Sequence, residues 1–227
     1  MHRAALVLVA AFLLTGCGIA KEEAAPAQNV KPRDLERMVQ RQHLGPLARG
    51  LKLRQDGSGP NDNKEGAEDT VDPKDTARSL ARAGRLRGYE LTYSAVKPSP
   101  LGVVVVSESV ELFRTSKAAS EFLKKQFADF KRLRGRTIDG VKIARVEEFG
   151  ADTADEAAGA RITVRYPSRR LTMFATVVAF RRGRVVGATS ALLRRDLVVS
   201  GDMERIADAL DTQVERVASG TAPVPAR

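Results

Sequence analysis

The chain has very few of the residues that most often bind metals or form covalent intermediates. Its 227 residues include one cysteine, Cys17, two histidines and no tryptophan. One cysteine forms no disulfide within the chain, so the fold must be held by its core. Zinc sites need three or four His, Cys or carboxylate ligands, and neither G-x-x-x-x-G-K-[ST] nor G-x-S-x-G occurs. We therefore predict no metal-binding, cofactor-binding or catalytic residue.

Long apolar runs are scarce as well, and the one clear example lies near the start of the chain. Residues 4–14 are all apolar and follow Arg3. A permanent membrane-spanning helix needs about 20 apolar residues, whereas a basic flank and a run of this length are typical of a secretory signal peptide. The run ends in Leu14, Thr15, Gly16 and Cys17. These four residues resemble the lipobox of bacterial lipoproteins.

The resemblance to the lipobox implies a lipid on Cys17 and cleavage just before it. Two acyl chains on one residue hold a protein stably at a membrane, whereas a single chain holds it marginally. We therefore expect a signal peptide at 1–16 and a lipidated N-terminus with a flexible spacer at 17–32. The expected location is the extracytoplasmic face of the cell membrane, and the membrane is a partner through the lipid on Cys17.

The chain is basic, with 38 Lys and Arg against 28 Asp and Glu and a formal net charge of +10. A basic domain at a membrane is attracted by anionic lipid. Nucleic acid is the other usual partner of such charge, but export and the lack of aromatic residues among the arginines argue against it. We expect an envelope protein, anionic lipid or wall polymer as partner, and no nucleic acid. A solvated, arginine-rich surface without a partner is the alternative.

Apolar periodicity predicts the secondary structure of the remaining chain. Helical spacing favours helices at 33–44, 76–86, 116–134 and 201–218, the last with Ser200 as its cap. Alternation and β-branched runs favour strands at 88–93, 103–113, 141–149, 160–166, 171–182 and 184–193. The predicted fold is α+β, a mostly antiparallel sheet of about six strands packed with helices, including a long central and a C-terminal amphipathic helix. We place this single domain at 33–219 and a disordered tail at 220–227.

A long polar loop is predicted at 55–75, where Val71 is the only large apolar residue. Residues 61–72 loosely follow the spacing of a calcium loop. The relevant residues are Asn61, Asn63, Glu65, Gly66 and Asp72. The first ligand is not Asp and the twelfth is not Glu, which is where a calcium loop needs charge and reach. The pattern therefore favours a solvated acidic loop over a calcium site.

Three groups of residues were weighed as catalytic candidates. His43 would have to serve any Ser-His-Asp triad, but its place on a short helix indicates a partly exposed helix residue. Two carboxylate pairs could serve a glycosidase, namely Glu108 with Glu111 and Glu147 with Glu148. Successive residues of a strand point to opposite faces, so the members of each pair should diverge. We assign none of these residues a catalytic role and predict a protein that is not an enzyme.

Three segments of the domain carry a second resemblance. They are GRLRGY at 84–89, VELFRTSKAASEFL at 110–123 and VVAFRRGRVVGA at 177–188. They are similar to segments of a broad group of lipoproteins from high-GC bacteria. The resemblance implies an α+β fold similar to the PsbP/Mog1 type or the cystatin type. It implies no catalytic residue, because a fold does not specify a function.

Three functions follow from these observations, in order of preference. The first is a non-enzymatic binding or interaction domain of the cell envelope. The second is a carrier or sensor that holds a small apolar or anionic ligand between sheet and helices, and the third is a hydrolase that uses carboxylates. A filled core with a flat basic face would favour the first and an internal pocket the second. Converging, desolvated carboxylates would favour the third.

Overall fold

The computed structural model describes residues 29–222, apart from 69, 71, 96–98, 100 and 139. The predicted signal peptide, Cys17 and nearly all of the predicted spacer lie outside the described residues. Within the described ranges, no helix combines the length and hydropathy that crossing a membrane requires.

A single antiparallel sheet forms the centre of the fold. Its strands are β1 (Leu51–Leu53), β2 (Gly59–Asn61), β3 (Arg85–Ala95), β4 (Val103–Phe113), β5 (Thr137–Ile138), β6 (Val141–Phe149), β7 (Glu156–Tyr166), β8 (Leu171–Arg182) and β9 (Val185–Leu193). The spatial order is β1-β3-β4-β9-β8-β7-β6-β5, and β2 also pairs with β3. The antiparallel prediction is confirmed, but the sheet has nine strands rather than about six. The three additional strands, β1, β2 and β5, have only two or three residues each, too few to show an alternating pattern.

Three α-helices pack on this sheet: α1 (Pro73–Arg82), α2 (Ser116–Leu133) and α3 (Ser200–Ala218). The prediction for α2 is confirmed to within one residue. Helix α1 begins earlier than predicted because the Asp72 carboxylate accepts a hydrogen bond from the Asp75 backbone N–H at 2.9 Å and Pro73 suits the first helical position. The predicted cap of α3 is wrong, since Val199 is the N-cap residue and no side chain caps that end.

The first predicted helix is a pair of 3₁₀-helices, Pro32–Arg37 and Arg41–Ala48. Gly45, at φ +49°, breaks the second of them, and Pro46 has no backbone N–H for a continuous α-helix. The apolar spacing that suggested a helix still has a purpose, because Leu35, Met38 and Leu44 are all buried. The local pattern identified the buried residues but not the type of helix.

The sheet is covered on both faces, so the domain has three layers and two cores. Helix α3 and the N-terminal 3₁₀-helices cover one face, and Val106 and Val110 of β4 belong to that core. Helices α1 and α2 cover the other face, where Val105 of β4 is buried. Alternate residues of each long strand therefore supply the two cores. Val30 and Ala222, just outside the predicted domain bounds, are also buried in the α3-side core.

Candidate functional site

A cavity of about 110 Å³ lies between α2 and the sheet face that α2 covers. One part of its wall is apolar, formed by Leu80, Val105, Phe122, Phe130, Val186 and Leu192. The other part is polar, formed by Glu90, Ser107, Ser109, Glu111, Gln126 and Ser190. A cavity with a mostly apolar lining and a few convergent polar groups is the usual form of a small-molecule site.

The polar wall arises from the alternation of β4. Ser107, Ser109 and Glu111 occupy successive positions on the face toward α2, where a packed core would have apolar residues. The neighbouring strands extend this polar stripe, because Ser107 pairs in register with Ser190 of β9 and Ser109 pairs with Glu90 of β3. The hydroxyls of Ser107 and Ser190 are 2.8 Å apart and form a hydrogen bond. Three strands thus bring their polar residues to one place.

Glu90 is a half-buried carboxyl on the cavity wall. Burial raises the pKa of Glu90 above its ordinary value, and the negative charge of Glu111 raises it further. Thr92 opposes this shift, since its hydroxyl donates a hydrogen bond to Oε1 of Glu90 at 2.6 Å, and the charges of Arg54 and Arg85 oppose it as well. The net direction is upward, so Glu90 holds a proton at a higher pH than a glutamate in water.

Glu111 faces the same cavity and pairs with Arg85, whose Nε lies 3.5 Å from its Oε1. The Arg85 side chain is only 2% exposed. Among the described residues, Oε2 of Glu111 and Nε of Arg85 are buried without a hydrogen-bond partner. A buried polar atom in this state costs about 1–3 kcal/mol. The site therefore has an unused acceptor on the wall of the cavity.

The polar loop before α1 closes over Arg85. Nη1 of Arg85 donates hydrogen bonds at 3.1 Å to the Asp62 carbonyl oxygen and to Oδ1 of Asn63, and Nη2 donates to Oδ1 of Asn61. Gly88 permits this arrangement, because a Cβ there would lie 2.2 Å from Nη2 of Arg85. Two of the residues weighed as calcium ligands, Asn61 and Asn63, therefore bind a guanidinium group.

The other residues of the calcium pattern have separate functions. Glu65 accepts a hydrogen bond from the Asp62 backbone N–H at 2.8 Å, and Asp72 caps α1. In the part of the chain that the structure describes, no three His, Cys, Asp or Glu side chains form a group that could hold a metal ion.

His43 lies on the opposite face of the sheet, far from the cavity wall of β4. Its Nδ1 is 2.8 Å from Oε1 of Glu108, and the Gln40 backbone N–H donates to Oε2 of Glu108 at 3.0 Å. The His43 side chain is 8% exposed, so its description as a partly exposed helix residue was wrong. Burial raises the pKa of Glu108, while the hydrogen bonds from His43 and Gln40 act in the opposite direction. The contact fixes the N-terminal segment to β4.

The two carboxylate pairs diverge as predicted. Glu108 faces His43, whereas Glu111 faces the cavity. Glu147 pairs with Arg145 at 2.7 Å and Glu148 pairs with Lys131 of α2 at 3.0 Å. The carboxylates that do share a site are Glu90 and Glu111, which sequence reasoning did not combine. They lie on different strands, so only the register between β3 and β4 brings them together.

Comparisons with known proteins support the fold. No family model and no curated protein matches the chain. The structure is similar to the crystal structure of the extracellular domain of PknH from Mycobacterium tuberculosis, with a TM-score of 0.55 and 12% sequence identity. The match covers 82% of this chain and 97% of that chain. At this identity the similarity concerns the fold, an α+β domain with a large antiparallel sheet.

Proposed function

We propose that this chain is a lipid-anchored protein on the extracytoplasmic face of the cell membrane, and that its domain is a sensor or carrier which holds a small ligand in the cavity between the sheet and α2. The observation that carries the proposal is the cavity itself, with one apolar and one polar wall. Of the three functions drawn from the sequence, this is the second. It ranks above a simple interaction domain because an internal cavity was the feature expected to distinguish the two.

Several features of the wall support ligand binding over a packing defect. Protein interiors are normally filled to the density of organic crystals, and empty cavities in proteins have apolar walls. This cavity instead has Glu90, Glu111 and three serines on one side. Oε2 of Glu111 is buried without a partner, so a bound group that donates a hydrogen bond would remove an existing penalty.

Two observations support the location. Leu14, Thr15, Gly16 and Cys17 resemble a lipobox and follow an apolar run of signal-peptide length. The similar fold of the PknH domain belongs to an extracellular domain. A lipid on Cys17 would leave residues 18–29 between the membrane and the first described core residue, Val30, so the domain would stay within roughly 40 Å of the surface.

The test of ligand binding uses residues 18–227, secreted without the lipid, so that every described residue is kept. Native mass spectra of this protein should show an additional mass that denaturation removes. Ser109→Phe should abolish that mass, because the new ring would fill the cavity. Ser168→Phe is the matched control, since Ser168 is exposed in the turn after β7. An additional mass that survives in Ser109→Phe would contradict the proposal.

A hydrolase is the second candidate, and the convergence of Glu90 and Glu111 on one cavity favours it. Glycosidases use such carboxyl pairs as acid and as base or nucleophile. It ranks lower because Glu111 is paired with Arg85. The test is hydrolysis of a panel of nitrophenyl glycosides, which should be lost in Glu90→Gln. An absence of hydrolysis across the panel would remove this candidate and leave ligand binding in place.

A further inference from the structure

We propose that the cavity takes an organic monocation with an apolar body, such as an arylalkylammonium compound, and that the ammonium group lies between Glu90 and Glu111. The inference rests on the proposed function, since it names the class of ligand that the same cavity would hold. It is drawn from the charge balance of the wall, from the unused acceptor of Glu111 and from the division of the lining into two parts.

The charge balance leaves one negative charge in excess. The charged groups that act on Glu90 are Glu111, Arg54 and Arg85. Arg85 lies against Glu111, and Arg54 forms an ion pair with Asp56 at 2.7 Å. When both arginines are assigned to these partners, the carboxylate of Glu90 has no cationic partner of its own. A monocation is the ligand whose charge completes the site.

The hydrogen-bonding capacity of the wall also favours a donor. Oε2 of Glu111 is a buried acceptor without a partner, and an ionised carboxylate accepts hydrogen bonds but donates none. The hydroxyl of Thr92 satisfies only one oxygen of Glu90. An ammonium group has three donors and no acceptor, so it could bond both carboxylates at once. Charge-assisted hydrogen bonds of this kind are about twice as strong as neutral ones.

The opposite wall suits the apolar body of such a ligand. Phe122 and Phe130 of α2 line it, together with Leu80 of α1. Burying an aromatic or aliphatic group there gains roughly 25 cal/mol for each Å² removed from water, and aromatic faces also attract a nearby cation. Of the two ligand classes named from the sequence, the carboxylates disfavour an anionic one, because a third negative charge would lie beside them.

The experiment compares three probes of similar shape and different charge. They are 2-phenylethylammonium, 2-phenylethanol and phenylacetate, titrated calorimetrically into residues 18–227 at pH 7.5. We expect the ammonium compound to bind at least tenfold more tightly than the alcohol, and phenylacetate to bind most weakly. Glu90→Gln and Glu111→Gln should each remove the preference for the ammonium compound. Glu148→Gln should retain it, since Glu148 pairs with Lys131 and does not line the cavity.

The outcomes separate this inference from the proposed function. Glu111→Gln also removes a partner of Arg85, so Glu90→Gln serves as the second variant, and the Tm of each shows that it is folded. Equal affinity for the ammonium compound and the alcohol would overturn the inference, as would a preference for phenylacetate or no binding of any probe. The cavity function would then still be judged by the native mass of the parent and of Ser109→Phe.

Discussion

His43 and Glu108 are 65 positions apart in the chain, yet Nδ1 of His43 lies 2.8 Å from Oε1 of Glu108 beneath the N-terminal segment. Glu108 is fully buried in the middle of β4, the strand that also supplies the polar wall of the cavity on its other face. One strand therefore carries two polar sites, back to back. The site on the α3 side closes the N-terminal segment onto the sheet, and the site on the α2 side faces the cavity.

The first prediction concerns this pair. His43→Ala should lower the free energy of unfolding by about 3–5 kcal/mol, because removing one partner leaves the buried carboxyl of Glu108 with a single backbone donor. Replacing both residues by leucine should cost less than the single change, because no buried carboxyl then remains. Urea unfolding of the two variants and the parent measures this. A single variant within about 1 kcal/mol of the parent would show that the contact contributes little.

The second prediction concerns the pH dependence of stability that Glu90 contributes. Its pKa is raised in the folded state by burial and by Glu111, against the opposing effects of Thr92, Arg54 and Arg85. A carboxyl whose folded pKa exceeds its unfolded pKa contributes stability at low pH, and this contribution is lost as the pH rises through the folded pKa.

Glu90→Gln keeps an acceptor for the Thr92 hydroxyl and removes the titration. The variant should therefore gain stability relative to the parent as the pH rises from 4 to 8, and should gain least at the acid end. Chemical denaturation at a series of pH values gives this difference. Glu147→Gln is the control, since Glu147 lies outside the cavity and pairs with Arg145. A difference that is constant with pH would contradict the assigned direction.

The third prediction concerns Gly88. A Cβ at this position would lie 2.2 Å from Nη2 of Arg85 and 2.6 Å from Oδ1 of Asn61. Gly88→Ala should therefore displace the guanidinium and lower stability by about 1–3 kcal/mol, as overpacking does. Amide exchange should rise in residues 59–67, which Arg85 holds. Gly150→Ala is the matched control, because nothing lies within 4 Å of a Cβ there. Equal effects of the two substitutions would show that the close approach is unimportant.

The fourth prediction concerns Cys17, which lies outside the described residues. Cys17→Ser should block attachment of the lipid, because the serine hydroxyl does not replace the thiolate as nucleophile. The precursor should then remain uncleaved after Gly16. Intact mass and membrane fractionation of the parent and the variant measure both effects. Maturation of the serine variant at the same site, with membrane retention, would show that the lipobox interpretation is wrong.

Local periodicity accounts for the parts of the fold that could be predicted. Alternation over 160–166 places Ala160, Ile162 and Val164 on one face, and all three are buried under α2. The helical stripe of α2 is visible for the same reason, since a period of 3.6 or 2 is a property of neighbouring residues. The N-terminal 3₁₀-helices could not be distinguished from an α-helix, because a few apolar residues fit either period.

The cavity could not be predicted, because it depends on distances between elements. The sequence VVVVSESVELF shows that β4 carries serines and glutamates, but periodicity alone does not show which strand lies beside it. Glu90 meets Ser109 only through the register of β3 on β4. Arg85 is likewise indistinguishable from the other arginines until the loop before α1 is seen to fold over it.

By itself, the sequence determined the α+β class, the order of the long strands and helices and the expectation of a lipidated Cys17, because each of these depends on residues adjacent in the chain. Only the tertiary structure decided which polar residues are buried and what they face. Glu108 and Glu111 look alike in the sequence, but one pairs with His43 and the other lines a cavity. The environment of a buried charge is set by elements distant in the chain, and that environment determines what the charge can bind.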